Sequence, residues 1–289
     1  AVRALFRLLS LFPLPVLHAV GGLLGWLLWI IPNDRRKVAL INIRRCFPTL
    51  SDTEVRRRAR RALGHEMKTI AELPLLWMGP AHRVERLVRR IDRPELVDQA
   101  LAKGKGLILL TLHQGSFEAP AIVYSRQHVM TGLYKRQKGV FEDLSLQGRT
   151  RFGGRMIPAE GSVVLRALLP LLRGNHIAYI LPDQDPPPGR GIYSPLFGIP
   201  AHTPTLIAKL AKSTGAQVLF FIGERLPRSR GYVMRFVEAP DGIHDPDLQT
   251  ATDAMNQGVE QCIRALPDQY WWGYKRFRRR PDGSSDFYD

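Results

Sequence analysis

The stretch Gly106-Leu-Ile-Leu-Leu-Thr-Leu-His-Gln-Gly-Ser-Phe-Glu118 decides the reading of this chain. Its apolar run, Leu107 to Leu112, is uncharged and has the length of a buried strand. The run stops at His113. Gly115 and Ser116 suit a tight turn, and Phe117 to Gln127 reads as a helix that tolerates Pro120 only in its first turn. Strand, turn and helix in that order build open α/β sheets, which place their chemistry beyond the carboxyl ends of the strands. His113 is therefore a candidate general base, and Glu118 a candidate to orient its imidazole and offset the charge it gains. The competing reading is a structural or solvated histidine with a glutamate nearby by chance.

The same alternation extends along the chain. Ser51-Asp-Thr-Glu54 is a capping-box pattern and opens a helix expected to end before Pro74. A second helical stretch is expected over His82 to Ile91, and a third over Glu95 to Ala102 behind Pro94. Val129 to Tyr134, Ile177 to Leu181, Val218 to Ile222 and Tyr232 to Val237 read as strands. Ser162 to Leu172, Thr203 to Thr214 (with Gly215 as its stop) and Thr252 to Leu266 read as helices. Tyr270 to Tyr274 reads as a last strand. The expected fold is α/β: a mixed, mostly parallel central sheet flanked by helices.

The N-terminus adds a second element. Leu8 to Ile31 is 24 residues without Asp, Glu, Lys or Arg, long enough to cross a bilayer core as a helix. Pro13, Pro15, Gly21, Gly22 and Gly25 weaken an ideal span, while Trp26 and Trp29 suit an interface. A signal peptide and a buried first helix compete with this reading, but no small-residue cleavage pattern follows the run. Asn33-Asp-Arg-Arg-Lys37 reads as a cytoplasmic flank. Residues 1–32 are expected to form a retained hydrophobic membrane-anchoring helical segment, spanning or lying in one leaflet, and residues 33–289 the catalytic domain.

Charge narrows the partners. The chain carries 42 Lys and Arg against 26 Asp and Glu, a net +16. Residues 33–61 hold ten basic and three acidic side chains, and further clusters lie at Arg83 to Arg93 and Lys275 to Arg280. Such clusters attract anionic membrane lipids, by about 1 kcal/mol per residue near the surface, and steer acidic proteins. No nucleic-acid motif accompanies them, so nucleic acid is not expected as a partner. Cys46 and Cys262 are too few for a disulfide framework and lack metal-ligand spacing.

Two loops follow predicted strands. Tyr134-Lys135-Arg136-Gln-Lys138 brings cations to a strand end, where they can hold a phosphate or a developing negative charge or simply solubilise a turn. Pro182-Asp183-Gln-Asp185 leads a Pro- and Gly-rich loop. Asp183 and Asp185 offer oxygens to a cation, but no further acidic ligand lies close, so no metal and no other cofactor is expected. The loop can equally border a substrate groove or be structural.

Taken in order, the apolar N-terminus, His113-Gln-Gly-Ser-Phe-Glu118, Tyr134-Lys-Arg136, Pro182-Asp-Gln-Asp185, Pro195-Leu-Phe-Gly198, Gln269-Tyr-Trp-Trp and Arg276-Phe277 resemble the lipid A biosynthesis acyltransferases, the late lauroyl and myristoyl transferases of Gram-negative bacteria. The resemblance covers nearly the whole chain. It implies transfer of a fatty acyl chain from acyl carrier protein to a hydroxyl of a lipid A precursor, at the cytoplasmic face of the bacterial inner membrane. In that reading His113 is the base and Glu118 its orienter. Backbone amides near Gly115 and Ser116, or Arg136, serve the oxyanion. Tyr134, Lys135, Asp183 and Asp185 complete the expected substrate site. Lys135 departs from the arginine the family more usually places after the tyrosine, which makes Lys135 rather than Arg136 a possible counterpart. Ser116 lacks the Gly-x-Ser-x-Gly elbow of an acyl-serine enzyme. The alternative is an acyl-CoA-dependent glycerolipid or glycolipid acyltransferase.

Overall fold

The computed structural model describes residues 2–160, 163–284 and 286–289. Helices α1 (Val2–Ser10), α2 (Leu14–Ile30), α3 (Asp34–Cys46) and α4 (Asp52–Met78) lead the chain, followed by the short α5 (Ala81–Glu85) and strand β1 (Val88–Asp92). Then come α6 (Glu95–Ala102), β2 (Leu107–Leu110), α7 (Glu118–Tyr124), β3 (Met130–Tyr134), α8 (Val140–Thr150), β4 (Arg155–Pro158), α9 (Val163–Arg173) and β5 (Ile177–Ile180). A hairpin of β6 (Gly191–Leu196) and β7 (Ile199–Pro204) precedes α10 (Leu206–Thr214), β8 (Gln217–Arg225), β9 (Tyr232–Glu238) and α11 (Leu248–Ala265).

Seven strands form the main sheet in the order β1-β9-β8-β2-β5-β3-β4. Every neighbouring pair is parallel except β8 with β9, so the sheet is mixed and mostly parallel, as expected. All four residues of β2 are buried. Ile108 and Leu110 face one core, shared with α3, α4, α9, α10 and α11. Leu107 and Leu109 face the other, under α6 and α7. Burial on both faces is why the strand shows no polar alternation.

The strand order explains where the chemistry lies. From β2 the chain passes over β5 to reach β3, whereas from β5 it crosses β2 to reach β8. The connections leave neighbouring strands in opposite directions, which opens a crevice beyond their carboxyl ends. Leu110 of β2 pairs in register with Ile180 of β5. Three residues beyond each lie His113 and Asp183.

Several expectations are corrected. The first long helix runs through Pro74 to Met78, because Leu75, Leu76 and Trp77 are buried and hold the last turn in place. His82 to Ile91 is not one helix: α5 ends at Glu85, and Val88 to Asp92 pairs with β9 at the sheet edge. Tyr270 to Tyr274 is a turn, and its one ladder contact among the described residues is the bridge from Tyr270 to Gln114. Ser162 lies outside the described residues, and the helix there begins by Val163. The hairpin was hidden by Pro195, Pro200 and Pro204, which a two-stranded ribbon accepts because both strands are edges.

The apolar N-terminus is also divided. Leu11 to Pro13 breaks the run into α1 and α2, and Arg83 donates to the Leu11 and Phe12 carbonyls at the break. Among the described residues, no single helix is long and apolar enough to cross a membrane. The α2 helix packs on α4 through glycine: a Cβ on Gly25 would lie 2.5 Å from Gly64 Cα, and one on Gly21 would lie 2.6 Å from Lys68 Cα. At Ile31 the chain bends by 83° into α3, whose Val38, Ala39 and Ile43 belong to the protein core.

Candidate active site

The crevice widens into a cavity of about 730 Å³ between the sheet ends, α4, α7, α8 and the loop after β5. His113 lines it, with Phe117 and Trp271 against its ring. The imidazole is held from behind. Asp183 Oδ1 lies 3.0 Å from its Nδ1, and Asp183 Oδ2 accepts the His113 backbone N–H at 3.0 Å. Burial alone would raise the Asp183 pKa. The charge and hydrogen bonds of His113 reverse this and leave it below the usual value, so the group is a carboxylate. A carboxylate only accepts, so Nδ1 carries the ring proton and Nε2 keeps its lone pair. Nε2 faces the cavity, with Gln184 Nε2 3.3 Å away.

Glu118 does not contact this imidazole. It is buried at the start of α7, where Arg149 of α8 forks onto it, Nε donating at 2.9 and 3.2 Å and Nη2 closing the pair, while Trp77 Nε1 donates at 3.4 Å. In the structure it is Asp183, and not Glu118, that bonds the His113 ring. Glu118 opens a helix that faces α8, while Asp183 leaves the strand next to β2. Burial lowers the Arg149 pKa and Glu118 more than offsets it, so the guanidinium is held above its ordinary value. Both residues line the cavity with His113.

The other expected residues divide. Tyr134 and Lys135 line the cavity, Tyr134 with its hydroxyl 3.3 Å from Glu142. Arg136 lies beyond the end of β3, does not line the cavity and pairs with Glu160. The Gly115 N–H is donated to Gln269 O at 2.9 Å and the Ser116 N–H to Gly223 O at 2.8 Å, so these two amides are not free for an oxyanion. Ser116 is wholly buried and does not line the cavity. Asp185 reaches the cavity wall, but its carboxylate is taken by His202, Arg278 and Arg279. That cluster, with Arg276 buried against His202 O and Thr203, shows that much of the C-terminal basic run is structural. Of the two tryptophans, Trp271 lines the cavity and Trp272 is buried in the core. Reading strand ends alone missed Arg149 and Gln184. Arg149 gave no signal in sequence beyond its charge.

One lobe of the cavity is apolar, lined by Ala121, Ile122, Met130, Leu133 and Met156. Its wall includes Gly132, where a Cβ would meet Met156 Sδ at 3.1 Å. The mouth carries Lys135, Arg155, Arg190 and Lys209, none paired with a carboxylate among the described residues.

A buried acid behind an imidazole, with the free nitrogen facing an apolar cavity, is the arrangement of general-base chemistry on a substrate with a long apolar part. Comparison with known proteins gives the family. The profile of the bacterial lipid A biosynthesis acyltransferases matches residues 1–279. The chain belongs to that family of acyltransferases. It is 28% identical over 275 residues to the lipid A biosynthesis lauroyltransferase of Escherichia coli (strain K12), covering 94% of this chain and 88% of that one. It is 25% identical over 278 residues to the palmitoleoyltransferase of the same organism, covering 96% and 89%. To the myristoyltransferase it is 26% identical over 279 residues, covering 93% and 82%.

Proposed function

We propose that the protein transfers a fatty acyl chain from an acyl carrier protein thioester to a hydroxyl of a lipid A precursor, with His113 as general base. The observation that carries this reading is the Nε2 of His113, left as an acceptor by Asp183 on the other ring nitrogen and met, among the described residues, only by the Gln184 amide in a cavity with apolar lining. The acceptor hydroxyl takes the place of the Gln184 amide at Nε2. As its oxygen attacks the thioester carbonyl, His113 receives the proton. The tetrahedral intermediate then collapses, the carbon–sulfur bond breaks, and the imidazolium returns the proton to the departing thiolate. Asp183 offsets the imidazolium charge meanwhile. Arg149 Nη1, not engaged by Glu118, and the Gln184 amide are the donors for the oxyanion. Holding both substrates in one cavity supplies ~7–11 kcal/mol, and the base a further ~10²–10⁴-fold.

The rest of the site fits these substrates. The apolar lobe receives the acyl chain, and the four cations at the mouth meet the acceptor's phosphates. Arg56, Arg57 and Arg60, exposed on α4, offer an acidic carrier protein a basic face. On α1 and α2, Leu5, Leu8, Val16, Val20, Leu23 and Trp26 are exposed. Phe6 of α1 also stacks on Trp77 and meets Phe141 at the cavity rim. This apolar surface rests in the cytoplasmic leaflet of the inner membrane, and anionic lipids meet the flanking arginines.

The purified protein, given a panel of acyl carrier protein and acyl-CoA thioesters with a lipid A precursor or a glycerolipid as acceptor, tests the proposal by mass spectrometry. The expected result is one added acyl group from the carrier protein thioester, abolished by His113→Ala. Transfer from acyl-CoA alone to a glycerolipid would replace this reading with the alternative, and an active His113→Ala would overturn the base.

A further inference from the structure

Behind the turn that presents His113 lies a buried charge network with no part in the chemistry above. Arg225, the last residue of β8, is 3% exposed. Its Nη2 donates to the Gly115 carbonyl at 3.0 Å, to Thr69 Oγ1 at 2.8 Å and to Glu72 Oε1 at 3.1 Å. Nη1 meets His65 Nδ1 at 3.1 Å, and Nε donates to Glu72 Oε2 at 3.3 Å. Glu72 is fully buried and also accepts from Tyr232 Oη at 2.8 Å and lies 3.0 Å from His18 Nε2 of α2. Burial pushes the Glu72 pKa up, but Arg225 and His18 outweigh it and hold it at about 2, so the carboxylate is ionised.

Removing such a pair from water is costly, and apolar replacements of similar shape are often as stable. Stability alone therefore does not account for a buried guanidinium here. What the pair does locally is specific. Gly115, at φ +60°, follows His113 by two residues. Its N–H goes to Gln269 O, and its carbonyl accepts from Arg225 and lies 2.9 Å from Thr69 Oγ1, whose one proton is shared between this carbonyl and His65 O at 3.0 Å. Gln269 in turn pairs with the Arg225 backbone in both directions. Gly115, the residue that turns the chain after His113, is thus held through the peptide groups on both its sides by groups fixed through Arg225.

We propose that Arg225 is a positioning residue of the transfer reaction: neutralised by Glu72, it fixes the Gly115 carbonyl and through it the line from His113 to Asp183 and the cavity. This rests on the role given to His113 above. His18 brings α2, the helix with the exposed apolar stripe, into the same network, so the docking of α2 and the angle of the turn share one carboxylate.

The test uses two independent perturbations of the full chain. Glu72→Gln with Arg225→Met removes both charges together and keeps an acceptor for Tyr232. Thr69→Val removes the second donor to the Gly115 carbonyl, a hydroxyl, at nearly constant shape, and Thr69→Ser restores it. Expected is a kcat lower by ~10–100-fold in the double variant, since misplacement by about 1 Å costs on that order, with KM for both substrates within threefold. Thr69→Val should lose severalfold in kcat and Thr69→Ser recover most of it. The downfield Nδ1–H proton signal of His113, assigned by its absence in His113→Gln, should shift or broaden in the double variant and in Thr69→Val. A wild-type kcat and an unmoved proton signal in folded Thr69→Val and the double variant would overturn the proposal. Failure of the wild type to transfer acyl groups would sink the proposed function instead, and the proton signal would still report on the positioning.

Discussion

Asp183→Asn probes how the base is held. Asp183 gives one oxygen to the His113 backbone N–H and the other to Nδ1, both at 3.0 Å. An asparagine has one acceptor for these two donors. If its oxygen stays on the backbone N–H, its NH₂ faces Nδ1, which must then present a lone pair. The ring proton moves to Nε2 and the base is lost. If the amide is reversed, Nδ1–H is kept but two N–H donors face each other at the buried backbone. That arrangement costs about 1–3 kcal/mol, or roughly 5–150-fold in the active population. The imidazolium also loses its counter-charge in either case. A fall in kcat of about 10²–10⁴ follows. KM should change by no more than a few-fold, because the Asp183 side chain, 1% exposed, does not line the cavity. Initial rates with donor and acceptor varied separately, on protein with wild-type circular dichroism, measure both. A kcat within threefold of wild type would refute the assignment of Asp183 as the orienter.

Arg149→Lys keeps the charge beside Glu118 but loses the fork, and kcat should fall about 10–100-fold; an unchanged kcat at saturating substrate would remove Arg149 from the oxyanion site. Gly25→Ala should destabilise by about 1–3 kcal/mol in thermal or denaturant melts, since its Cβ meets α4 backbone at 2.5 Å. Gly22→Ala, whose nearest neighbour is the Lys68 Cε at 3.7 Å, should be neutral or more stable by up to about 1 kcal/mol. Burial first, then Arg225 and Lys68, hold the His65 pKa at about 3. Between that value and the ordinary 6.5 only the unfolded chain binds the proton, so stability falls as pH drops through this window, by roughly 2 kcal/mol at pH 5. His65→Gln should flatten the pH dependence of the melt by that amount, and an unchanged slope would contradict it.

What the sequence disclosed, and what it withheld, follows from the range of the forces involved. The bounds of α6, the start of β2 and the Gly215 stop of α10 were legible because capping and strand burial are local, whereas β2 ends at Leu110, two residues before its apolar run does. The partner of His113 was not. Asp183 lies 70 residues away, and its role depends on β5 pairing with β2 at the register Leu110 to Ile180, which no local pattern specifies. Glu118 looked right because it is near in sequence, yet a residue at the start of a helix beside α8 is directed toward Arg149. Strand β1 misled for a related reason. Val84, Leu87, Val88 and Ile91 recur at helical spacing, but Arg93 takes φ +58° and β9 offers an edge. Helix α8 gave little signal because its Gly148 exists to admit Trp77, whose ring carbon would lie 2.2 Å from a Cβ.

The division of α2 shows why composition alone cannot orient such a segment. Leu14, Leu17, His18, Gly21 and Gly25 form its buried face, at helical spacing. Val16, Val20, Leu23, Leu24, Trp26 and Ile30 form the other, and all are exposed. A helix apolar all round shows no moment, yet its two faces do different work. The glycines let one backbone reach another, and His18 enters a charge network, so that side is fitted to protein. The opposite side offers only apolar groups, most of them large, a surface too continuous to be left in water. Seventeen residues span about 26 Å at 1.5 Å each, less than a hydrocarbon core of about 30 Å. Lys68 of α4 lies against the glycine face. Immersing the pair would bury that charge, whereas laying α2 along the leaflet covers its outer face alone. The proposed docking in one leaflet rests on the two faces together, and it would hold the cavity rim at Trp77 and Phe141 next to the bilayer.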